Sequence, residues 1–361
     1  MLRLTIAAVV ATLATTFPAP ASALRLEAES SGMVWNAVAV DHGRVFVAGP
    51  RWSGSTGPAV GVLDRGKVRP FPDSRWNSWK PGVDPATAFV NVNAVHLDGR
   101  GGLWAVDTGS PEFGGAPLPG GAKLVRIDLL TTRVTRVYPF PSDIATPRSY
   151  VDDVRFNGST AYLTDGGQAG LIVLDLHTGQ ARRVLDGDPS TTAPDNRPIV
   201  VDGTVVRGPD GSPLKVNADP FELSPDHRWL YYGPLEGPWS RISTALLDDP
   251  TVPAATLAAH VQPWADLPPT GGTAIDRAGN LYFSDLAHNS VNRRAPDGTV
   301  TTVVQDPRLH WTDALFLTPD NRLWLPVPQL DRAPAFNGGT SHIQFPVQLF
   351  SFPLAHGKTF D

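Results

Sequence analysis

One pattern recurs six times along the chain: a polar residue, alternating apolar positions, a tight Asp/Asn/Gly turn, and a second run that carries an aromatic residue. It reads NAVAVDHGRVFVAG from Asn36, NAVHLDGRGGLWAVDTG from Asn93, DDVRFNGSTAYLTDGG from Asp152 and DPFELSPDHRWLYYGP from Asp219. It returns as GTAIDRAGNLYFSD from Gly272, with Gly271 before it, and as DALFLTPDNRLWLPVP from Asp313. The alternation and the turn residues make each copy a β-hairpin. Self-similarity at this spacing is the mark of a repeat architecture.

Further strand pairs follow the hairpins: AVGVLD with KVRPFP, KLVRIDL with RVTRVYPF, LIVLDL with QARRVLD, and SVNRRAP with VTTVVQD. Four strands in each of six units predict an all-β fold, a six-bladed β-propeller. The fourth unit is the weakest match, since AATLAAHVQP reads as well as helical or irregular chain. In the sixth, QFPVQLFSFPL supplies a third strand and nothing after it supplies a fourth, so the N-terminal LRLEAES is expected to complete that blade and close the ring. A β-sandwich or two smaller β domains would carry a linker visible as a break in composition, and no Pro/Ser-rich linker is present.

Residues 1–23 read as a secretory signal peptide, with Arg3, an apolar run over residues 4–17 and the small residues Ala21-Ser22-Ala23. A secreted single domain, 24–361, is therefore expected, and no later run approaches the ~20 apolar residues of a membrane span. The chain has no cysteine, which excludes disulfides, thiol nucleophiles and thiolate metal sites. Net charge is −5 and the clustered bases are the pairs Arg182/Arg183 and Arg293/Arg294, so nucleic acid is not an expected partner. A monomer that meets a small molecule fits these limits.

The first strand of each blade lines a propeller's channel, so Asn36, Asn93, Asp152, Asp219 and Asp313 should converge at its mouth. The long connections fall on that same face, among them GPRWSGSTG, TGSPEFGGAPLPGG, residues 187–217 and VPQLDRAPAFNGGTSHIQ. Long insertions on one side of a rigid scaffold are where binding and catalysis concentrate. Seven of the ten Trp lie there, and Trp35, Trp52, Trp239 and Trp311 are the candidates for ligand contact. The alternative is that these rings pack the loops onto the scaffold.

The oxygen-bearing ring suits one divalent cation, Ca²⁺, Mg²⁺ or Mn²⁺, with Asn36, Asn93, Asp152 and Asp219 as candidate ligands. Asp313 and Asp153 are the candidate proton-transfer groups. The competing reading is a polar channel mouth that simply binds water. Asp107, Asp165 and Asp285 end the second strands and read as turn caps, and His310 lies beside Trp311 and Asp313. GxSxG, HExxH and GxGxxG are absent, so no serine-hydrolase elbow, zincin site or nucleotide cofactor is expected.

With these residues in view, the chain resembles a microbial member of the yellow / major royal jelly protein family, which includes dopachrome-conversion-related proteins. The resemblance rests on WNAVAVDHGRVFVAGPRW, VNAVHLDGRGGLWAVDTG, YVDDVRFNGSTAYLTDGGQAGLIVLDL, LSPDHRWLYYGPLEGPWSRISTALL and LYFSDLAHNSV followed by VVQDPRLHWTDALFLTPDNRLW. It implies a secreted six-bladed propeller with a central pocket; members act in dopachrome conversion, bind biogenic amines, or serve nutritional or structural roles. More distantly, the chain is similar to gluconolactonase-type propellers, which hold a divalent cation through Glu, Asn and Asp beside a further Asn. By blade position Asn93 matches that further Asn, Asp152 falls at the ligand Asn, Asp219 matches the ligand Asp, and Asn36 stands where that group has Glu. Two functions follow from the resemblance and the site together. One is a metal-assisted lactonase or dopachrome-type isomerase; the other is a secreted, non-catalytic small-molecule binding protein.

Overall fold

The computed structural model describes residues 23–354. Residues 1–22 of the expected export leader lie outside the described residues. Six four-stranded antiparallel sheets are arranged around one axis. The first blade is Ala37–Asp41, Arg44–Ala48, Val60–Asp64 and Lys67–Pro70, and the same up-and-down order repeats through the fifth blade. In the sixth, Phe316–Leu317, Arg322–Val327 and Val347–Pro353 are joined by Arg25–Ser30, which pairs antiparallel with Val347–Pro353. The first strand among the described residues thus closes the last blade, and the inner strands touch one another in sequence back to that of the first blade.

Alternation explains why the blades stack. Each two-faced strand buries one row against the preceding blade and one against the next, giving a separate apolar cluster between neighbours. Ala37, Phe46 and Phe71 meet Val95, Leu103 and Val125 between blades one and two. Trp104 and Leu124 meet Val154 and Leu163 between blades two and three. The repeated second-strand aromatics are the wedges, and fully burying a ring such as Phe46 contributes roughly 2–3 kcal/mol.

Two segments differ from the sequence expectation. AATLAAHVQP begins as a short helix, Ala254–Ala259, and then enters a paired fourth strand, Gln262–Ala265, whose Pro263 suits an outer edge. The insertion 187–217 contains a hairpin of its own, Val200–Val201 with Thr204–Val205, turned by Asp202-Gly203. Its Ile199, Val201, Leu214 and Val216 join Trp35, Trp311, Leu330 and Ile343 in an apolar cap over the channel mouth. Among the described residues no helix is long and apolar enough to cross a membrane.

Candidate functional site

The inner strands begin with an irregularity where the repeat places its polar residue. Register slips between Val92 and Ala94, between Val151 and Val154, and between Ala218 and Phe221. These bulges release Asn93, Asp152–Asp153 and Asp219 from regular pairing and turn side chains into the channel, the usual consequence of an extra residue in one strand. The caps at the ends of the second strands hold the approach segments. Asp107 accepts the amides of Val90, Asn91 and Gly109 and pairs with the fully buried Lys123 at 2.6 Å. Asp165 accepts the amide of Tyr150 at 2.8 Å and pairs with Arg183 at 2.7 Å. In blade five Ser284 Oγ accepts the amides of Gly271 and Gly272 instead.

Asn36, Asn93, Asp152, Asp219 and Asp313 do converge, on one chamber of about 290 Å³ at the channel mouth. Blade five contributes glycine because there is no room for more: a Cβ on Gly272 would stand 2.4 Å from the carbonyl carbon of Asp313. A hydrogen-bond chain runs round the ring. Asn36 Nδ2 donates to Asn93 Oδ1 at 3.1 Å, and Asn93 Nδ2 donates to Asp152 Oδ1 at 2.6 Å. Tyr150 Oη donates to Asn93 Oδ1 at 2.8 Å and accepts from Trp52 Nε1 at 2.8 Å. Asp313 accepts from the Ala314 amide at 2.8 Å and from Trp311 Nε1 at 3.2 Å.

Neither Asp152, Asp219 nor Asp313 forms an ion pair among the described residues, and Asn36 Oδ1 is buried without a partner. Burial, reinforced by the neighbouring carboxylates, holds Asp152 and Asp219 well above the usual carboxylate range. Burial pushes Asp313 up to about 7 against the two hydrogen bonds it accepts. Behind the chamber wall, burial raises Glu236 to about 7, with Oε2 unpartnered. The exposed rim is basic, formed by Arg148 and Lys215.

Of the four expected tryptophans the chamber gathers two, Trp52 and Trp311. Trp35 is fully buried in the cap, donating Nε1 to Gln348 O at 3.0 Å. Trp239 is fully buried between blades four and five, away from the chamber. Asp153 turns to the underside of the ring, where Arg155 Nη1 reaches it at 2.6 Å and also binds Glu222 through Nε and Nη2. This charged plug, joined by Thr273, lies across the channel below the chamber. His310 faces away as well, placed between Asp331 at 2.8 Å and Asp202 at 3.1 Å, and so ties two insertions together.

Among the lining residues that sequence reasoning did not single out are Tyr150, Phe113, Phe336, Arg148 and Lys215. Tyr150 carried a signal, two residues before the polar position of its repeat; Phe113 and Phe336 lie in loops whose paths no local pattern dictates. The oxygen donors are of the kind a hard cation takes, yet among the described residues no three His, Cys, Asp or Glu side chains stand close enough to share a metal ion.

The profile of the major royal jelly protein family matches residues 90–351. No curated protein matches this chain. A gluconolactonase from Xanthomonas campestris shares the architecture at 14% identity over 93% of this chain and 92% of its own, with a TM-score of 0.53. A luciferin-regenerating enzyme does so at 10% identity over 91% and 94%, with a TM-score of 0.52. Virginiamycin B lyase from Staphylococcus aureus matches at 12% identity over 92% and 89%, with a TM-score of 0.47. At such identities the likeness is one of fold.

Proposed function

The chain belongs to the major royal jelly protein family, and from that premise we propose that its central chamber captures a small, ring-bearing amine. One observation carries the reading: three carboxyls, Asp152, Asp219 and Asp313, meet in an aromatic-walled chamber, and none of them forms an ion pair among the described residues. An ammonium group entering there replaces lost solvation with Coulomb attraction and lets a carboxyl ionise. Trp52, Tyr150 and Trp311 offer ring surfaces for the apolar part of the ligand. The leader-like start of the sequence supports action outside the cell.

Asp313 gives the same site a route to catalysis. A carboxyl with a pKa near 7 exchanges a proton readily at neutral pH, as a tautomerisation of the dopachrome type requires. Asp153 is committed to Arg155, so Asp313 is the better acid–base group. Tyramine and its uncharged counterpart 4-ethylphenol test the binding step by calorimetry. Saturable binding of tyramine at least ~10-fold tighter than 4-ethylphenol supports the charge-based reading; equal affinity, or none for either, overturns it.

A second reading is favoured by the unpartnered Asn36 Oδ1 and by Asp219, whose carboxyl receives no hydrogen bond among the described residues. Asp219 and Asp152, with Asn93 and Asn36 beside them, would hold one divalent cation, which supplies Lewis acidity toward a carbonyl such as a lactone's. Elemental analysis of the wild type and Asp219→Ala decides this: about one ion per chain, lost in the variant, supports it, and no ion in either removes it.

A further inference from the structure

Beside the chamber lies a second, larger cavity of about 830 Å³, bounded by the loops around residues 111–113, 207–211 and 334–339. Three side chains, Trp52, Phe113 and Phe336, line both cavities. They meet edge to face as a closed triad: Trp52 to Phe113 at 4.9 Å, Trp52 to Phe336 at 5.5 Å and Phe113 to Phe336 at 4.8 Å between ring centroids. The wall between the two spaces is therefore made of these rings.

The three rings are not held alike. Trp52 sits on the 3-10 turn Arg51–Ser53, and its Nε1 is fixed by Tyr150 Oη at 2.8 Å. Phe113 and Phe336 have no polar group to anchor them and are half-buried. Phe113 precedes Gly114, at φ 72°, and Phe336 precedes Gly338 and Gly339, at φ 60° and 87°. Around each of these glycines there is open space, with no atom within 4 Å of where a Cβ would stand. A half-buried ring with no polar anchor and open space beside it changes rotamer at little cost, whereas Trp52 is held through its indole N–H.

We infer that Phe113 and Phe336 set the length of ligand the site accepts: in place, they confine it to a compact single-ring molecule, and swung aside they join the chamber to the outer cavity for an elongated ligand with a second ring. The inference extends the proposed function from the head of the ligand to its tail, and it rests on that reading only for where the site is. The acidic ring and the basic rim recognise charge; the aromatic partition recognises length.

The absence of cysteine allows a test that needs no amine ligand. Val216→Cys places one thiol in the chamber lining, and Leu214→Cys serves as a second reporter position. Two uncharged reagents are compared, methyl methanethiosulfonate and a dansyl-bearing methanethiosulfonate on an extended linker. With both phenylalanines present the long reagent should react at least 10-fold slower than the short one. Adding Phe113→Ala or Phe336→Ala should speed the long reagent at least 10-fold and the short one less than threefold. Phe113→Leu and Phe336→Leu, which keep apolar volume without a ring, should give intermediate rates and guard against loss of folding, followed by circular dichroism. Equal rates for both reagents in the parent, or a change common to both in the variants, overturns the inference. Failure of tyramine to bind bears on the charge-based reading alone and leaves these rates interpretable.

Discussion

Replacing Asp313 by Asn should change how stability responds to pH, with a size fixed by where that carboxyl sits. In the folded chain its pKa is pushed up to about 7, mainly by burial, against about 3.9 for an unfolded aspartate. The native state then keeps a proton that the unfolded chain has released, so this group's contribution to stability is present at acid pH and is lost as pH rises toward 7. Between pH 5 and pH 8 the loss works out at about 2–3 kcal/mol, from 1.36 kcal/mol per pKa unit over the two units that separate pH 5 from the folded pKa. Asn cannot ionise and escapes it. Urea unfolding followed by tryptophan fluorescence, on wild type and Asp313→Asn at pH 5, 6, 7 and 8, reads the difference. Any constant offset from the altered hydrogen bonds to Ala314 and Trp311 cancels in the comparison across pH. The variant should gain on the wild type by that amount as pH rises; parallel stability curves would refute a buried, protonated Asp313.

Three other substitutions probe how the chamber is built. Tyr150→Phe removes the hydroxyl between Trp52 and Asn93 and should cost about 1–2 kcal/mol in thermal or urea unfolding, with non-additive loss in a cycle with Trp52→Phe. Gly272→Ala drives a methyl into the backbone of Asp313 and should destabilise by about 1–3 kcal/mol while weakening tyramine binding measured by calorimetry. Lys123→Met leaves Asp107 buried without its cation and should cost about 3–5 kcal/mol in urea unfolding, well beyond an exposed Lys→Met control such as Lys67.

The propeller was legible because each repeat states its strand, turn and aromatic wedge locally, and the shortfall in blade six is answered by LRLEAES at the other end of the chain. The polar ring was legible for the same reason, since the first residue of an inner strand has one place to be. What sequence could not rank was burial. Trp35 and Trp239 sit in stretches as aromatic and loop-like as those of Trp52 and Trp311, yet the first pair fills gaps under the cap and between blades while the second borders the chamber. Asp152 and Asp153 are neighbours in a bulge, and one residue of register sends the first into the chamber and the second down to Arg155. Phe113 and Phe336 are brought together from loops far apart in sequence, a meeting that only the closed ring of blades decides.

The proposed function comes down to carboxyls whose protonated form burial favours and which ionise when a cation arrives. Calorimetry of tyramine binding at pH 6 in two buffers of different ionisation enthalpy, on protein dialysed against a chelator, measures that proton directly. Release of about one proton per tyramine bound, diminished in Asp219→Asn, is the predicted result. Saturable binding with no proton release, or with proton uptake, would contradict it.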